Sequence, residues 1–196
     1  MHEENQLSGE ESLHLINRMI HEAKGYFHES GIGALIYGFT TVVCCVLAWL
    51  RETDAIHFPF HPFYIMLPVF VWQAIIQYRQ DKQKQAKTFT DEAIDFVWMG
   101  FFISSLVAFC AGFAGIKYIP ITVVILLAGF ASFITGMLAK FRYLIICSFA
   151  CWAVGIISFF VLNPAIYLLL AAVGILIWVV PGFILNAYFK KQQHAG

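Results

Sequence analysis

Long apolar stretches dominate the chain and limit what it can fold into. Six of them fill most of residues 32–188, and each has close to the roughly 20 residues that a helix needs to cross a bilayer. Apart from Asp95, they contain no Asp, Glu, Lys, Arg or His. Because backbone groups in lipid must be hydrogen-bonded within the segment, helices are expected rather than strands. The sequence therefore predicts an all-α membrane protein.

The amino-acid composition supports this class. Hydrophobic residues make up 60% of the chain and charged residues only 12%. That charged share is about half of what is usual in soluble domains. The formal net charge is zero, so the chain offers no electrostatic attraction for nucleic acid. A water-soluble fold and nucleic-acid binding are both excluded.

The apolar stretches define a bundle of six transmembrane helices between two polar tails. Residues 1–31 form the N-terminal tail and residues 189–196 the C-terminal tail. The connections after spans three and five are two residues each, so spans three and four, and five and six, are expected to form tight hairpins. The transmembrane domain covers residues 32–188, with spans at 32–50, 62–78, 93–115, 118–139, 143–162 and 165–188.

Lysine and arginine are unevenly distributed between the two ends of this bundle. Only Arg51 and Lys117 fall on one side, whereas ten fall on the other. Positively charged short loops stay in the cytoplasm, so both termini are predicted to be cytoplasmic. A bacterial plasma (inner) membrane is the expected location. The ten cations are Arg18, Lys24, Arg79, Lys82, Lys84, Lys87, Lys140, Arg142, Lys190 and Lys191.

The N-terminal tail carries the pattern of an amphipathic helix. Ser8 and Glu11 have the spacing of a capping box, and apolar residues then recur at three- and four-residue steps. Its polar side has more Glu than Lys and Arg, unlike helices that bind membrane surfaces. We expect its apolar stripe to pack on the protein's own loops, on a protein partner or on a second copy. The stripe is Leu13, Ile16, Ile20, Ala23 and Phe27.

Small residues at four-residue intervals indicate how the bundle packs. Such spacing places them on one helix face, where two backbones can approach closely. Packing among spans three to five is the expectation, and a homodimer contact is the alternative. The sets are Gly100, Ser104, Ala108 and Gly112 in span three, Ala128, Ser132 and Gly136 in span four, and Cys147, Cys151 and Gly155 in span five.

Motifs that carry chemistry are missing from the sequence. It contains no His-Glu-x-x-His, no Gly-x-Ser-x-Gly and no Cys-x-x-Cys. The five cysteines all fall in spans and are expected to be buried free thiols. His57 and His61 are separated by Pro59, which disfavours the regular helix that would let them chelate a metal. No catalytic, cofactor-binding or metal-binding residue is predicted, and no cofactor.

Two further features of the spans are a carboxylate near a helix start and a proline in each of two spans. Asp95 follows Asp91 and Glu92, and carboxylates at a helix start are stabilised by the helix dipole. Pro68 and Pro181 are expected to kink spans two and six by freeing backbone carbonyls. Those kinks, with Gln73 and Gln77 in span two, are the best places for a cavity or a narrow polar path.

Two segments and the span pattern together resemble a known group of proteins. They are Glu-Ser-Leu-His-Leu-Ile-Asn-Arg-Met-Ile at residues 11–20 and Val-Pro-Gly-Phe-Ile-Leu-Asn at residues 180–186. The chain resembles small uncharacterised six-span bacterial integral membrane proteins with an N-terminal amphipathic helix. The resemblance implies the topology and no functional residue.

Three functions are compatible with these observations. The leading hypothesis is a non-enzymatic protein that presents the N-terminal helix at the cytoplasmic face for regulation or assembly. The alternative is a carrier or channel for a small neutral or apolar solute, with a path near Pro68, Gln73 and Pro181. A membrane-embedded enzyme that acts on lipid comes third.

Overall fold

The structure is a computed structural model that describes residues 31–57, 59–83, 89–111 and 115–193. Every regular element among these residues is helical. This confirms the all-α class that the apolar stretches predicted. The amphipathic helix predicted in the N-terminal tail, with its apolar stripe, lies outside the described residues.

The helices begin and end close to the six predicted spans. The second span starts with a 3-10 turn, and the sixth contains a π-helical turn between two α-helical parts. We call residues 166–193 the last helix, because its three parts follow one another without interruption. In order, the elements are α1 (Ile32–Glu52), the 3-10 turn (Pro62–Ile65), α2 (Met66–Gln83), α3 (Phe89–Ala111), α4 (Ile119–Leu138), α5 (Arg142–Ser158), α6 (Ile166–Gly174), the π turn (Ile175–Val179) and α7 (Val180–Gln193).

Four of these helices are long and apolar enough to cross a membrane. They are α1, α3, α4 and the stretch Ile166–Ala187 of the last helix. The apolar parts of the other two, Pro62–Ile76 and Arg142–Ser158, are shorter. Length and composition therefore support a membrane protein with at least these four helices in the bilayer.

Two helices end in the same backbone motif. After α1, Asp54 adopts a left-handed conformation with φ 56°, and its N–H donates to the carbonyl of Arg51 at 3.1 Å. The N–H of Ala55 donates to Leu50 at 3.0 Å, which completes a Schellman motif. The end of α4 repeats this pattern at Lys140, whose φ is 53°. The motif satisfies the last carbonyls and turns the chain sharply into the next connection.

The last helix lies at the centre of the bundle, and α3 lies at its edge. The membrane-length window of the last helix is 56% buried, whereas that of α3 is 11% buried. α1, α4 and α5 pack against the last helix, α2 packs mainly on α1, and α3 packs mainly on α4. Aromatic rings of α3 reach the centre, where Trp98 and Phe101 lie 5.9 and 6.0 Å from the ring of Trp178.

The contact between α4 and α5 is built from small residues, as predicted for spans four and five. A Cβ added at Gly129 would lie 2.8 Å from Trp152, and one at Gly155 would lie 2.5 Å from Leu126. The hydroxyl of Ser158 donates to the hydroxyl of Thr122 across this contact at 2.9 Å. The two backbones therefore approach closely, which is how apolar helices gain dispersion energy in lipid. The predicted small residues that are buried here are Ala128, Ser132, Gly136, Cys147, Cys151 and Gly155.

The same prediction is wrong for the start of the small-residue set in span three. Nothing lies within 4 Å of a Cβ built at Gly100, and Ser104 is exposed. The reason is that α3 turns a different face to the bundle, the one that carries Trp98 and Phe101. Burying large rings against Trp178 leaves Gly100 and Ser104 away from the centre of the bundle, and Gly112 lies outside the described residues.

Large apolar side chains cover the outside of the bundle. Phe160 is 85% exposed, Phe89 is 84% exposed and Ile146 is 69% exposed. Soluble proteins rarely leave apolar surface of this extent in contact with water. The outward face of the helices is therefore suited to lipid, which agrees with a membrane location.

Candidate functional site at the N-terminal junction

Gly31 marks the point where the N-terminal tail joins the bundle. It precedes α1 in a left-handed conformation with φ 64°, and its carbonyl accepts the first helical bond, from the N–H of Leu35 at 3.1 Å. A Cβ at this position would lie 2.6 Å from the carbonyl oxygen of Gly182 and 3.0 Å from the Cβ of Leu185. Any other residue would clash and would also strain the backbone. The chain thus enters the bundle pressed against the last helix.

Close packing continues along α1 from this point. A Cβ at Gly182 would lie 2.8 Å from Leu35, and one at Gly38 would lie 2.8 Å from Val179 and 2.9 Å from Trp178. These positions recur at three- and four-residue steps, so they share one face of each helix. We call this contact the N-terminal junction, which comprises Gly31, Leu35, Gly38, Trp178, Val179, Gly182 and Leu185.

The π turn brings Trp178 into this junction. Pro181 has no N–H, so the carbonyl of Ile177 loses its helical partner, and the irregular turn Ile175–Val179 directly precedes the proline. Pro181 itself is buried. The ring of Trp178 lies 4.9 Å from that of Tyr37 on α1, in an edge-to-face arrangement. The predicted irregularity in span six therefore exists, and it is filled by an aromatic side chain.

A hydrogen bond within α1 satisfies the buried hydroxyl group next to the junction. The hydroxyl of Thr41, which is 4% exposed, donates to the carbonyl of Tyr37 within α1 at 2.8 Å. A Cβ at Gly174 would lie 3.5 Å from the methyl group of Thr41. The junction residues offer only backbone and hydrocarbon to each other. Such an arrangement can position a chain segment, but it supplies no acid, base or nucleophile.

The residues predicted to line a path in span two do not join this junction. Pro68 lies in the first turn of α2, where a missing N–H costs little, and its side chain is exposed. Pro181 is buried in the last helix, whereas α2 packs mainly on α1. The two prolines therefore lie in helices that do not have each other as main packing partners. Gln73 and Gln77 belong to α2, and their side chains fall outside the described part of the structure.

The carboxylates at the start of α3 are only partly explained by the helix dipole. Asp91 and Glu92 lie in the first turn, as expected. Asp95 lies in the second turn, because α3 begins at Phe89. The dipole acts mainly within the first turn. Asp95 is half-buried and has interactions of its own.

The cysteines follow the prediction with one exception. Cys44, Cys45, Cys147 and Cys151 are buried free thiols. Cys110 is exposed instead, because it lies near the end of α3, the helix that is least covered by its neighbours.

A cluster of charged and polar side chains lies at the end of the bundle opposite the N-terminal junction, where α1 ends. Lys117 and Glu52 form an ion pair at 3.4 Å between the connection after α3 and the end of α1. The side chain of His61 is half-buried and faces Arg51 and Glu52. His57 and His61 are not on one helix, as predicted. Within the described ranges, no three His, Cys, Asp or Glu side chains group together as a metal site.

A shallow groove runs between α3 and α4 on the outside of the bundle. Its volume is about 410 Å³, and its lining is almost entirely apolar. Ser104 and Ala108 of the span-three set line it, together with Pro120. Because the groove opens outward among exposed apolar side chains, it forms part of the lipid-facing surface.

Sequence reasoning missed the junction, although its signals were present. Gly31 ends the polar tail, and Gly182 follows Pro181 in the segment that carried the resemblance. Glycine is common in membrane helices, so neither position stands out without knowledge of its neighbour. Only the pairing of α1 with the last helix brings the two glycines into contact.

No protein-family model, no curated protein and no solved structure matches the chain.

Proposed function

We propose that the protein is a non-enzymatic multi-pass membrane protein that holds its N-terminal segment at one end of a helix bundle, for regulation or for assembly with a protein partner. All six apolar helices cross a bacterial plasma membrane, and both termini lie in the cytoplasm. The observation that carries the proposal is the contact of Gly31 with Gly182 and Leu185 of the last helix.

The arrangement of helix ends supports six crossings. The ion pair of Lys117 with Glu52 and the ring contact of Phe63 with Tyr167 at 6.2 Å bring three connections to one end of the bundle. Gly31 and Gly182 meet at the other end. Successive helices therefore alternate in direction. The 17 residues of α5 rise about 26 Å, and Phe159 and Phe160 extend its apolar surface further.

Charge distribution supports the orientation. Arg51 and Lys117 lie at the end that holds the ion pair, and the other ten cations of the sequence belong to the opposite side. The positive-inside rule then directs Gly31 and the N-terminal tail to the cytoplasm.

Rigid attachment is what makes the N-terminal segment useful to a partner. A segment joined by a flexible linker explores many orientations and loses entropy on binding. Gly31 instead turns the chain at a fixed φ against the backbone of the last helix. The chain that carries the apolar stripe is thereby attached at one defined point, Gly31, which lies against Gly182 and Leu185 of the last helix.

Site-specific crosslinking tests the proposal. A photoreactive residue replaces Ile16 or, separately, Ile32 in the full chain, and it replaces Ile32 in a variant that lacks residues 1–28. Crosslinks are collected in native membranes, and the full and truncated chains are compared with the probe at Ile32. We expect a discrete crosslinked species with a protein partner or a second copy in the full chain. The truncated protein, probed from Ile32, should insert normally and lose that species. An unchanged partner profile after truncation, or crosslinks confined to the same chain, would sink the proposal.

A matched pair of glycine variants tests whether partner binding needs the rigid attachment of the N-terminal segment or only its presence. Gly31→Ala adds a Cβ 2.6 Å from Gly182, whereas Gly115→Ala adds one with nothing within 4 Å, at a similarly positive φ of 85°. Both variants pay the backbone strain, but only the first disturbs the junction. The crosslinking yield should fall about tenfold in Gly31→Ala, as for a loss of roughly 1.4 kcal/mol, and stay near the wild-type value in Gly115→Ala.

A further inference from the structure

His61 holds the connection between α1 and α2 at the end of the bundle opposite the N-terminal junction. Its Nδ1 accepts a hydrogen bond from the N–H of Phe63 at 3.5 Å, which caps the 3-10 turn that begins at Pro62. The imidazole ring lies 5.6 Å from the ring of Phe63 and 5.9 Å from that of Phe109 on α3. His61 thus ties the connection to a third helix, and Tyr64 of the same turn adds a second ring contact with Phe109 at 6.1 Å.

The cap requires the neutral form of the imidazole. An Nδ1 that accepts a hydrogen bond carries no proton, so the single proton of the ring lies on Nε2. Protonation would turn Nδ1 into a donor that faces the N–H of Phe63. The acceptor would be lost, and a positive charge would be placed between two apolar rings.

Charged side chains of α1 act on this preference in opposite directions. Arg51 disfavours the protonated imidazole of His61, and Glu52 favours it. Glu52 is engaged by Lys117 at 3.4 Å, which reduces its capacity to stabilise a second cation. α3 contributes the ring of Phe109, and α6 contributes Tyr167, whose ring contacts Phe63 and which also faces Arg51 and Glu52.

We propose that His61 is a pH-sensitive latch: neutral, it fastens the connection between α1 and α2 to the end of α3, and protonated, it releases that connection. The released part is the 3-10 turn Pro62–Ile65 together with residues 59–61. The latch acts on the side of the membrane that faces away from the ten cytoplasmic cations.

The direction of the pH dependence follows from the environment. Burial, followed by Arg51, lowers the pKa of His61 below its ordinary value of 6.5, while Glu52 raises it. A base whose pKa is lower in the closed state than in the open state favours the closed state at high pH. The latch is therefore fully closed above about pH 6.5 and loses stability as the pH falls from there through the lowered pKa.

Hydrogen–deuterium exchange tests the latch on the purified protein in lipid nanodiscs. Protection of the amides of residues 63–66 is compared at about pH 7.5 and about pH 5, after correction for the intrinsic exchange rate. We expect these amides to lose protection at the lower pH, because the protonated imidazole no longer accepts the hydrogen bond of the cap. Equal protection at both values would overturn the proposal.

Two variants assign that change to His61. His61→Asn keeps a side-chain acceptor for the cap but does not titrate, so its protection should stay high at both pH values. His57→Gln removes the exposed histidine of the same connection and should behave like the wild-type protein. A pH-dependent loss that persists in His61→Asn, or that disappears in His57→Gln, would contradict the role of His61.

A direct titration keeps the test independent of whether the variants fold perfectly. The imidazole signals of His57 and His61 are followed by NMR in selectively labelled wild-type protein. The midpoint of His61 should lie below the ordinary value of 6.5, move upward in Arg51→Gln and downward in Glu52→Gln, because those neighbours act in opposite directions. A His61 midpoint at or above the ordinary value, or shifts of the same sign in both variants, would refute the latch.

Discussion

The last helix and α3 are both apolar and both long enough to cross a membrane, yet they use their residues in opposite ways. The last helix is 56% buried over its membrane-length window, and its Gly182 lies against the side chain of Leu35 and the backbone of Gly31. α3 is 11% buried, and its Gly100 meets nothing within 4 Å. Similar composition therefore hides a central helix and a peripheral one. The difference lies in which face each helix turns to its neighbours.

The contrast between the two helices separates side chains whose packing contacts lipid can replace from side chains whose contacts it cannot replace. A side chain that leaves a lipid-facing surface is replaced by acyl chains, so little packing is lost. A side chain removed from the centre leaves a cavity that neighbours fill only in part. Matched substitutions in the two helices should therefore differ in their effect on the free energy of unfolding.

Removal of a large ring should show the largest difference. Trp178→Ala in the last helix should lower the free energy of unfolding by about 3 kcal/mol, because three aromatic neighbours lose their contact. Phe96→Ala in α3, where the ring is 63% exposed, should cost less than about 1 kcal/mol. Unfolding in mixed micelles measures both. Equal losses would show that the centre of the bundle lies elsewhere.

Addition of a methyl group should give the next largest difference. Gly38→Ala places a Cβ 2.8–2.9 Å from Val179 and Trp178, so α1 and the last helix must separate, at about 1–3 kcal/mol. Gly100→Ala meets open space and should be neutral, or stabilising by up to about 1 kcal/mol. The same unfolding measurement applies. A Gly100→Ala variant that is the more destabilised of the two would point to an unseen neighbour on α3.

Loss of a hydroxyl should have a smaller effect. Ser158→Ala removes the hydrogen bond to Thr122 between α5 and α4, which is worth about 0.6 kcal/mol on average between membrane helices. Ser104→Ala on the exposed face of α3 should change the free energy of unfolding by less than this. A double-mutant cycle with Thr122→Val isolates the interaction. A coupling energy near zero would mean that the hydroxyls do not act as a pair.

The ion pair at the end of α1 should contribute least. Lys117 is 63% exposed, and exposed pairs are worth about 0.2–1 kcal/mol. Lys117→Gln should therefore shift the unfolding midpoint slightly at low salt and not at all at high salt. A loss that is independent of salt would indicate that Lys117 acts through packing instead.

Much of the fold could be predicted because the bilayer restricts it so strongly. Apolar length locates each helix, and the exclusion of unpaired backbone groups from lipid allows no other regular structure in a single apolar segment. The close packing of spans four and five also followed from the spacing of residues such as Ser132 and Gly155. In each case the pattern is local, so one segment carries the whole prediction.

The candidate site depends on contacts between distant segments, and so does the packing of span three, for which the prediction was wrong. Gly31 and Gly182 lie about 150 positions apart, and neither has a meaning until α1 and the last helix are paired. The small-residue set of span three looked like those of spans four and five, but Trp98 and Phe101 compete for the inward position. A helix has one inward face, and the fold of its neighbours decides which set of residues takes it.

The sequence by itself determined the class of the protein, the places of its apolar helices and the absence of recognisable catalytic motifs. These are properties of composition and of single segments, and lipid imposes them directly. Only the tertiary structure decided that the N-terminal tail joins the bundle at a glycine pressed against the last helix, and that His61 reaches α3. Each of these features depends on two or three helices or turns, because in each case one chain segment fills the space that another leaves.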